Sequence, residues 1–333
     1  MKTLKNVSHK DLLELNGKKM LLEVEVEGLD IFEWARECHE DIDRLIRDSG
    51  ALLIRGLTFS GVRDFGKVLS ILFNDDLLNY TYRSTPRTEL ENRVYTATEY
   101  YSDQTIPQHN ENSYFNSWPM RIGFMCIKPA ENGGETPICD SREVYSKIPN
   151  RIRSKFEEKG VMYIRNYSDI DLPWKDVFQT EKKNEVEAFC KYNKIDFEWI
   201  GDEHLKTKQV NQASAEHPVS GDKIWFNQAH LFHISNLEKE IRETLLLLKK
   251  ESELPRSACY GDGSFIDSND LDEIRMIYKQ NLISFMWKEN DILLLDNMHF
   301  SHGREPYTGE RQVVVGMGCA KNSNVIMTSP RLL

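Results

Sequence analysis

The sequence predicts a mainly β protein, a sandwich or barrel with peripheral helices packed outside it. Two observations carry this. Apolar runs broken by turn residues cluster late in the chain, at 285–296 and 311–319, and the helical stretches do not alternate regularly with strands as βαβ units would require. A chain of 333 residues buries a large core, and barrel-type β domains often exceed the usual domain length, so a single domain over 1–333 is expected.

Residues 31–48 place Ile31, Trp34, Ala35, Cys38, Ile42, Leu45 and Ile46 at helical spacing with charge on the other face, and Gly50 ends the pattern. The following ALLIRGL (51–57) reads as a buried strand, and 60–73 returns to a helical period. Further helices are expected at 142–159 and 236–250. Between 160 and 215 the chain is polar and aromatic, with a helix expected at 181–194. This stretch reads as a helical insertion over the scaffold, and long insertions commonly carry binding surfaces.

Composition narrows the partners. A formal charge of −10 argues against a broad basic face, so neither nucleic acid nor an anionic membrane is expected, and a small-molecule partner is. The first nineteen residues lack the apolar core and cleavage site of a secretory leader, and no apolar run reaches membrane-spanning length, which predicts a cytoplasmic protein. The six cysteines form no Cys-X-X-Cys pair and read as reduced thiols.

Chemistry concentrates in two segments. In QHNENSYFNSWP (108–119), His109 and Glu111 stand two apart, and in an extended stretch such residues project to one side. A distant second histidine would complete a facial two-histidine, one-carboxylate metal site. His-X-Glu alone arises by chance in many proteins, so context must carry it. The second segment runs from an apolar strand into Asp296-Asn297 and then His302-Gly303-Arg304, where His299 and His302 are both plausible ligands on spacing alone. Arg311 opens the last strand, and its fork geometry suits a ligand carboxylate.

His109-X-Glu111, Gly133-Gly134-Glu135-Thr136, Asp296-Asn297, His302-Gly303-Arg304 and Arg311 occur in one order. On these residues the chain resembles the taurine dioxygenase (TauD/TfdA) superfamily of iron(II)- and 2-oxoglutarate-dependent oxygenases. The segments HNENSY, PAENGGETPICDSREVY, VFQT, WFNQAHLFH and HGREPYTGERQVVVGM are similar to the branch containing the syringomycin-type aspartyl hydroxylase, over roughly residues 90–320.

The resemblance implies a double-stranded β-helix (jelly-roll) core of the clavaminate synthase-like kind. It implies His109, Glu111 and His302 as iron ligands, with His302 preferred over His299 because only it precedes Gly-Arg. Thr136 would hydrogen-bond 2-oxoglutarate and Arg311 would pair with its distal carboxylate. With dioxygen as the other co-substrate, the implied reaction releases succinate and carbon dioxide. It hydroxylates an unactivated carbon, the β-carbon first, of a free or carrier-protein-bound amino acid in natural-product biosynthesis. Desaturation, epoxidation or ring closure are alternatives from the same chemistry. Related halogenases carry a small residue where this chain has Glu111, which weighs against chlorination. The taurine enzyme's second arginine corresponds to Val315, which weighs against taurine. Arg304, Trp225, Asn227, Gln228 and His230 are candidate substrate residues. Readings of another class are a zinc-dependent hydrolase on the same three ligands and a non-catalytic binding barrel.

Overall fold

The computed structural model describes residues 9–15, 17–24, 30–82, 84–98, 100–167, 171–201 and 203–323. Residues 1–8, the beginning of the stretch read above for a leader, lie outside them. Helix Ile31–Ser49 starts where the Asp30 carboxylate accepts from the amides of Phe32 and Glu33, and it ends at Gly50, whose φ of 83° is left-handed. Its buried face is the one the sequence spacing predicts, from Trp34 to Ile46. Helix Val62–Phe73 packs beside it, and both cover one face of a large sheet.

That sheet has eight strands among the described residues, in the order Leu13–Leu15, Lys18–Glu23, Ala51–Arg55, Ile292–Asp296, Ser117–Lys128, Gln312–Asn322, Val94–Thr96 and Glu89–Glu91. Leu52, Ile54, Met125, Ile292, Leu294 and Val314 point to the helices. Their neighbours Leu53, Phe124, Leu293, Leu295, Val313 and Val315 point the other way, onto Ile138 and Phe300. Ile138 and Phe300 belong to a three-stranded sheet, Ile106–His109, Phe300–Arg304 and Ile138–Asp140. Because the large sheet is buried on both faces, its central strands read as continuous apolar runs. Two facing sheets with helices outside form the double-stranded β-helix that the resemblance implies.

The insertion differs from its expectation. Residues 160–215 contain helices Trp174–Phe178 and Lys183–Tyr192, but also strands Val161–Tyr167, Asp196–Ile200 and His204–Asn211. With Arg256–Tyr260 these strands make a separate four-stranded sheet, so the stretch is not mainly helical. VMYIRNY alternates buried and half-buried side chains, the pattern of a strand with one face on a core, but the half-buried face carries Met162 and Ile164 while Arg165 lies on the buried one, so no apolar-polar alternation marks it in the sequence. The helix expected over 142–159 is two, Ser141–Lys147 and Asn150–Lys159. Pro149 denies the helical region to Ile148, which sits at ψ 124°. In the run 285–296 only Ile292–Asp296 is a strand, because a turn with Asn290 in the left-handed region precedes it.

Among the described residues no helix is long and apolar enough to cross a membrane. All six cysteines are free thiols.

Candidate active site

His302 and His109 are direct cross-strand partners in the small sheet, which brings their ring centroids to 4.4 Å. The strand stops at His109, so Glu111 reaches the same point from a turn and not by strand alternation. Donor atoms of His109, Glu111 and His302 all lie within 4.8 Å of one another. His109 Nδ1 faces the Pro107 carbonyl at 2.9 Å; a carbonyl only accepts, so the proton is on Nδ1 and the lone pair on Nε2. Burial depresses both imidazoles. Glu111 partly offsets this at His109, whereas His109 and Arg87 add to it at His302, which falls well below its ordinary value. His302 Nδ1 is buried without a hydrogen-bond partner. Two neutral imidazoles and a carboxylate are a donor set that fits iron(II).

A second cluster, His217, Asp296 and His299, is equally compact but differs in proton placement. His217 Nδ1 accepts from the amides of Val219 and Ser220, at 3.3 and 3.1 Å, so its proton is on Nε2, 3.2 Å from Asp296 Oδ2. Asp296 also takes Arg121 and the amides of Met298 and His299. Burial alone would raise the Asp296 carboxyl, but His217 and Arg121 hold it down at about 2. A cation would have to displace both a proton and a guanidinium, so the cluster is a hydrogen-bonded knot. His299 belongs to it, stacked on His217 with centroids 4.1 Å apart.

Beside His109 and His302 a small cavity of about 30 Å3 is lined by Arg87, Thr136, Arg304 and Arg311, with Ile106, Phe124 and Val313 as apolar wall. Arg311 donates to the Gly134 carbonyl at 2.8 Å and to Thr136 Oγ1 at 3.3 Å, and among the described residues no carboxylate forms an ion pair with it. Burial, with Arg304 alongside, pulls its guanidinium down to about 10. The approach depends on the paired glycines: a Cβ on Gly133 would meet the Pro306 carbonyl at 2.2 Å, and one on Gly134 would meet Arg311 at 2.9 Å. Trp287 Nε1 donates to Thr136 Oγ1 at 3.1 Å, so both Thr136 lone pairs are engaged and its hydroxyl proton is left to donate. A half-buried arginine beside a hydroxyl donor, with no carboxylate partner among the described residues, fits a carboxylate ligand. Trp287→Phe is therefore expected to weaken 2-oxoglutarate about fivefold, the ~1 kcal/mol of one hydrogen bond, without changing iron affinity. Equal losses in both titrations would reject this link.

The remaining sequence candidates fall elsewhere. Arg304 is buried and donates to the carbonyls of Tyr100, Tyr101 and Gln104, so it anchors that loop, although it also lines the cavity. Trp225, Asn227, Gln228 and His230 do not line it. Trp225 packs edge-on against Phe156, and Asn227 bonds the Ala213 carbonyl and the Ala229 amide. Gln228 donates to the Asn110 carbonyl, and His230 Nε2 bonds the Gln108 carbonyl. Gln228 and His230 therefore brace the segment that carries His109 and Glu111. The amide and aromatic density that suggested a pocket satisfies buried backbone instead.

Sequence reasoning missed Arg87, whose Nη2 donates to Glu111 Oε2 at 2.6 Å with both side chains buried. It also missed Phe124, packed edge-on to His302, and Trp287. Each is remote in sequence from the group it touches, and none sits in a pattern that marks it.

His230 adds a pH dependence. Burial lowers its imidazole to about 3, with the nearby Arg275 contributing. Below about pH 6.5 the unfolded chain takes up a proton that the folded state refuses, so stability falls with pH by at most about 1.4 kcal/mol per unit down to about 3. Thermal melts from pH 7 to 4.5 should show a shallower decline for His230→Gln than for the wild type. Parallel curves would show that His230 is not responsible.

The chain matches the family described as "Taurine catabolism dioxygenase TauD, TfdA family" over residues 14–317. It is 42% identical over 280 residues to the dapdiamide synthesis protein DdaC of Enterobacter agglomerans, covering 84% of this chain and 85% of that protein. It is 28% identical over 287 residues to a clavaminate synthase-like protein of Arabidopsis thaliana, covering 83% of each. Among solved structures it shares its fold with PvcB, an Fe, alpha-ketoglutarate dependent oxygenase from an isonitrile synthetic pathway (TM-score 0.53, 13% identity, 94% of this chain and 93% of that one). It likewise shares the fold of AAD-2, solved with Mn(II) and N-oxalylglycine (TM-score 0.51, 13% identity, 92% and 96%). On the family match across most of its length, the chain belongs to the TauD/TfdA family of iron(II)- and 2-oxoglutarate-dependent dioxygenases.

Proposed function

We propose that this dioxygenase hydroxylates an unactivated carbon, by preference the β-carbon, of a free or carrier-protein-bound amino acid in natural-product biosynthesis. His109, Glu111 and His302 hold the iron, and Thr136 and Arg311 hold 2-oxoglutarate. One observation carries the site assignment: His109 and His302 of the three-donor cluster line the same cavity as Thr136 and Arg311, which among the described residues has no carboxylate partner. The likeness to a dapdiamide synthesis protein supports the biosynthetic setting. Cytoplasmic placement, without nucleic acid or membrane partners, is part of this reading and rests on the sequence.

Bound iron(II), 2-oxoglutarate and dioxygen supply the oxidising power, with succinate and carbon dioxide as the co-products. The chain's own part is placement. Arg87 orients the Glu111 carboxylate and balances its charge. Phe124, Ile106 and Val313 keep the cavity wall dry, which strengthens every charge interaction inside it. Glu111 occupies the position that chloride would need in a halogenase, which supports hydroxylation over chlorination.

The test is an anaerobic titration of the apo-protein with iron(II) and 2-oxoglutarate, followed by the weak visible charge-transfer band of the chelate. The band is expected in the wild type; its absence, with tight zinc binding instead, would turn the reading to a hydrolase. Succinate release over a panel of amino acids and aminoacyl carrier proteins then tests the substrate class. No stimulation by any of them would remove that half of the proposal.

A further inference from the structure

The Asp296-Asn297 pair has no part in the assignments above, yet it touches both ligand-bearing segments. Asn297 Oδ1 accepts from the Glu111 amide at 2.7 Å, and Nδ2 donates to the Glu111 carbonyl at 2.9 Å and to the Pro119 carbonyl at 2.8 Å. The Asn297 carbonyl in turn accepts from Asn110 Nδ2 at 2.7 Å. One carboxamide thus holds the N–H and the C=O on either side of the Glu111 Cα. That fixes both backbone torsions of the residue, and so the direction in which its carboxylate leaves the chain. Asp296 Oδ1 accepts from the amides of Met298 and His299, closing the turn that leads into the strand carrying His302.

We propose that Asn297 is a positioning residue for the metal centre, acting through the peptide of Glu111. This rests on the ligand assignment made above. Asn297 is fully buried. An apolar residue in its place leaves the Glu111 amide and carbonyl without these partners, and the local backbone must turn to find others. Outer partners of this kind set how tightly ligands hold a metal without touching it.

The apo-protein is titrated with cobalt(II), whose visible spectrum reports coordination geometry, in the wild type, Asn297→Leu and Asn297→Asp. Asn166→Ala serves as a control, because the Asn166 carboxamide also donates to two backbone carbonyls, those of Leu254 and Ser252, but does not line the cavity. Both Asn297 variants are expected to bind cobalt roughly 10-fold to 100-fold more weakly, with an altered spectrum, and the control is expected to match the wild type. Aspartate keeps the acceptor for the Glu111 amide but loses both donors. If Asn297→Leu does not fold, Asn297→Asp decides by the same criterion. Affinity and spectrum within twofold of wild type, or an equal loss in Asn166→Ala, would overturn the proposal. Glu111→Ala and His302→Ala are titrated alongside: wild-type cobalt binding in those variants would mean that the ligand assignment itself has failed.

Discussion

His302→Ala is expected to abolish iron(II) binding and turnover, whereas His299→Ala should retain both. The two histidines lie on one short segment and are both buried, so composition does not separate them. Their protons and neighbours do. His302 faces His109 across the small sheet and sits within the three-donor cluster. His299 packs on His217 and meets Asp222 and Ser220. Removing one of three ligands should cost more than the roughly 10-fold to 100-fold typical of outer-sphere changes. His299→Ala should instead lower thermal stability, by about 1–3 kcal/mol for a buried polar side chain lost from a network. Metal titration and thermal melts on both variants check this, and the reverse pattern of metal loss would overturn the ligand set.

Arg311→Ala is expected to weaken 2-oxoglutarate by about 2–5 kcal/mol, the usual cost of truncating one partner of a desolvated charged pair. At 1.4 kcal/mol per decade this is roughly 30-fold to a few thousand-fold in affinity. Iron binding in the absence of 2-oxoglutarate should stay at the wild-type level, because Arg311 is held by Gly134 and Thr136 and is not one of the three clustered donors. Arg311→Lys should recover only part of the loss, since an ammonium replaces the charge but not the two-pronged geometry. Unchanged 2-oxoglutarate affinity in Arg311→Ala would reject its assigned role.

Much of the site was legible before the fold was known, for identifiable reasons. His109 and Glu111 lie two residues apart, and His302-Gly303-Arg304 and Arg311 sit on consecutive late elements, so local order records their proximity. Helix Ile31–Ser49 was legible too, because its cap residues and buried stripe are local signals. The insertion was misjudged where local signal failed. Val161–Tyr167 takes its strand form from neighbours at 204–211 and 256–260, far along the chain. WFNQAH read as a pocket because amides and aromatics also mark recognition surfaces. Only the packing shows that Gln228 and His230 spend their polar atoms on the backbone of Asn110 and Gln108.

The sequence by itself determined the family motif set and the mainly β architecture, since both are written in short spacings and periodicities that survive without tertiary information, but spacing left His299 and His302 as equal partners for His109 and Glu111, and only the resemblance favoured His302. Tertiary structure alone decided that Arg87 holds Glu111, that Trp287 and Arg311 converge on Thr136, and that Asn297 clamps the Glu111 peptide. The physical reason is common to all three. Such contacts join residues from 24 to 186 positions apart only after the chain has folded, and hydrogen bonding at that distance leaves no periodic trace in either partner's local sequence.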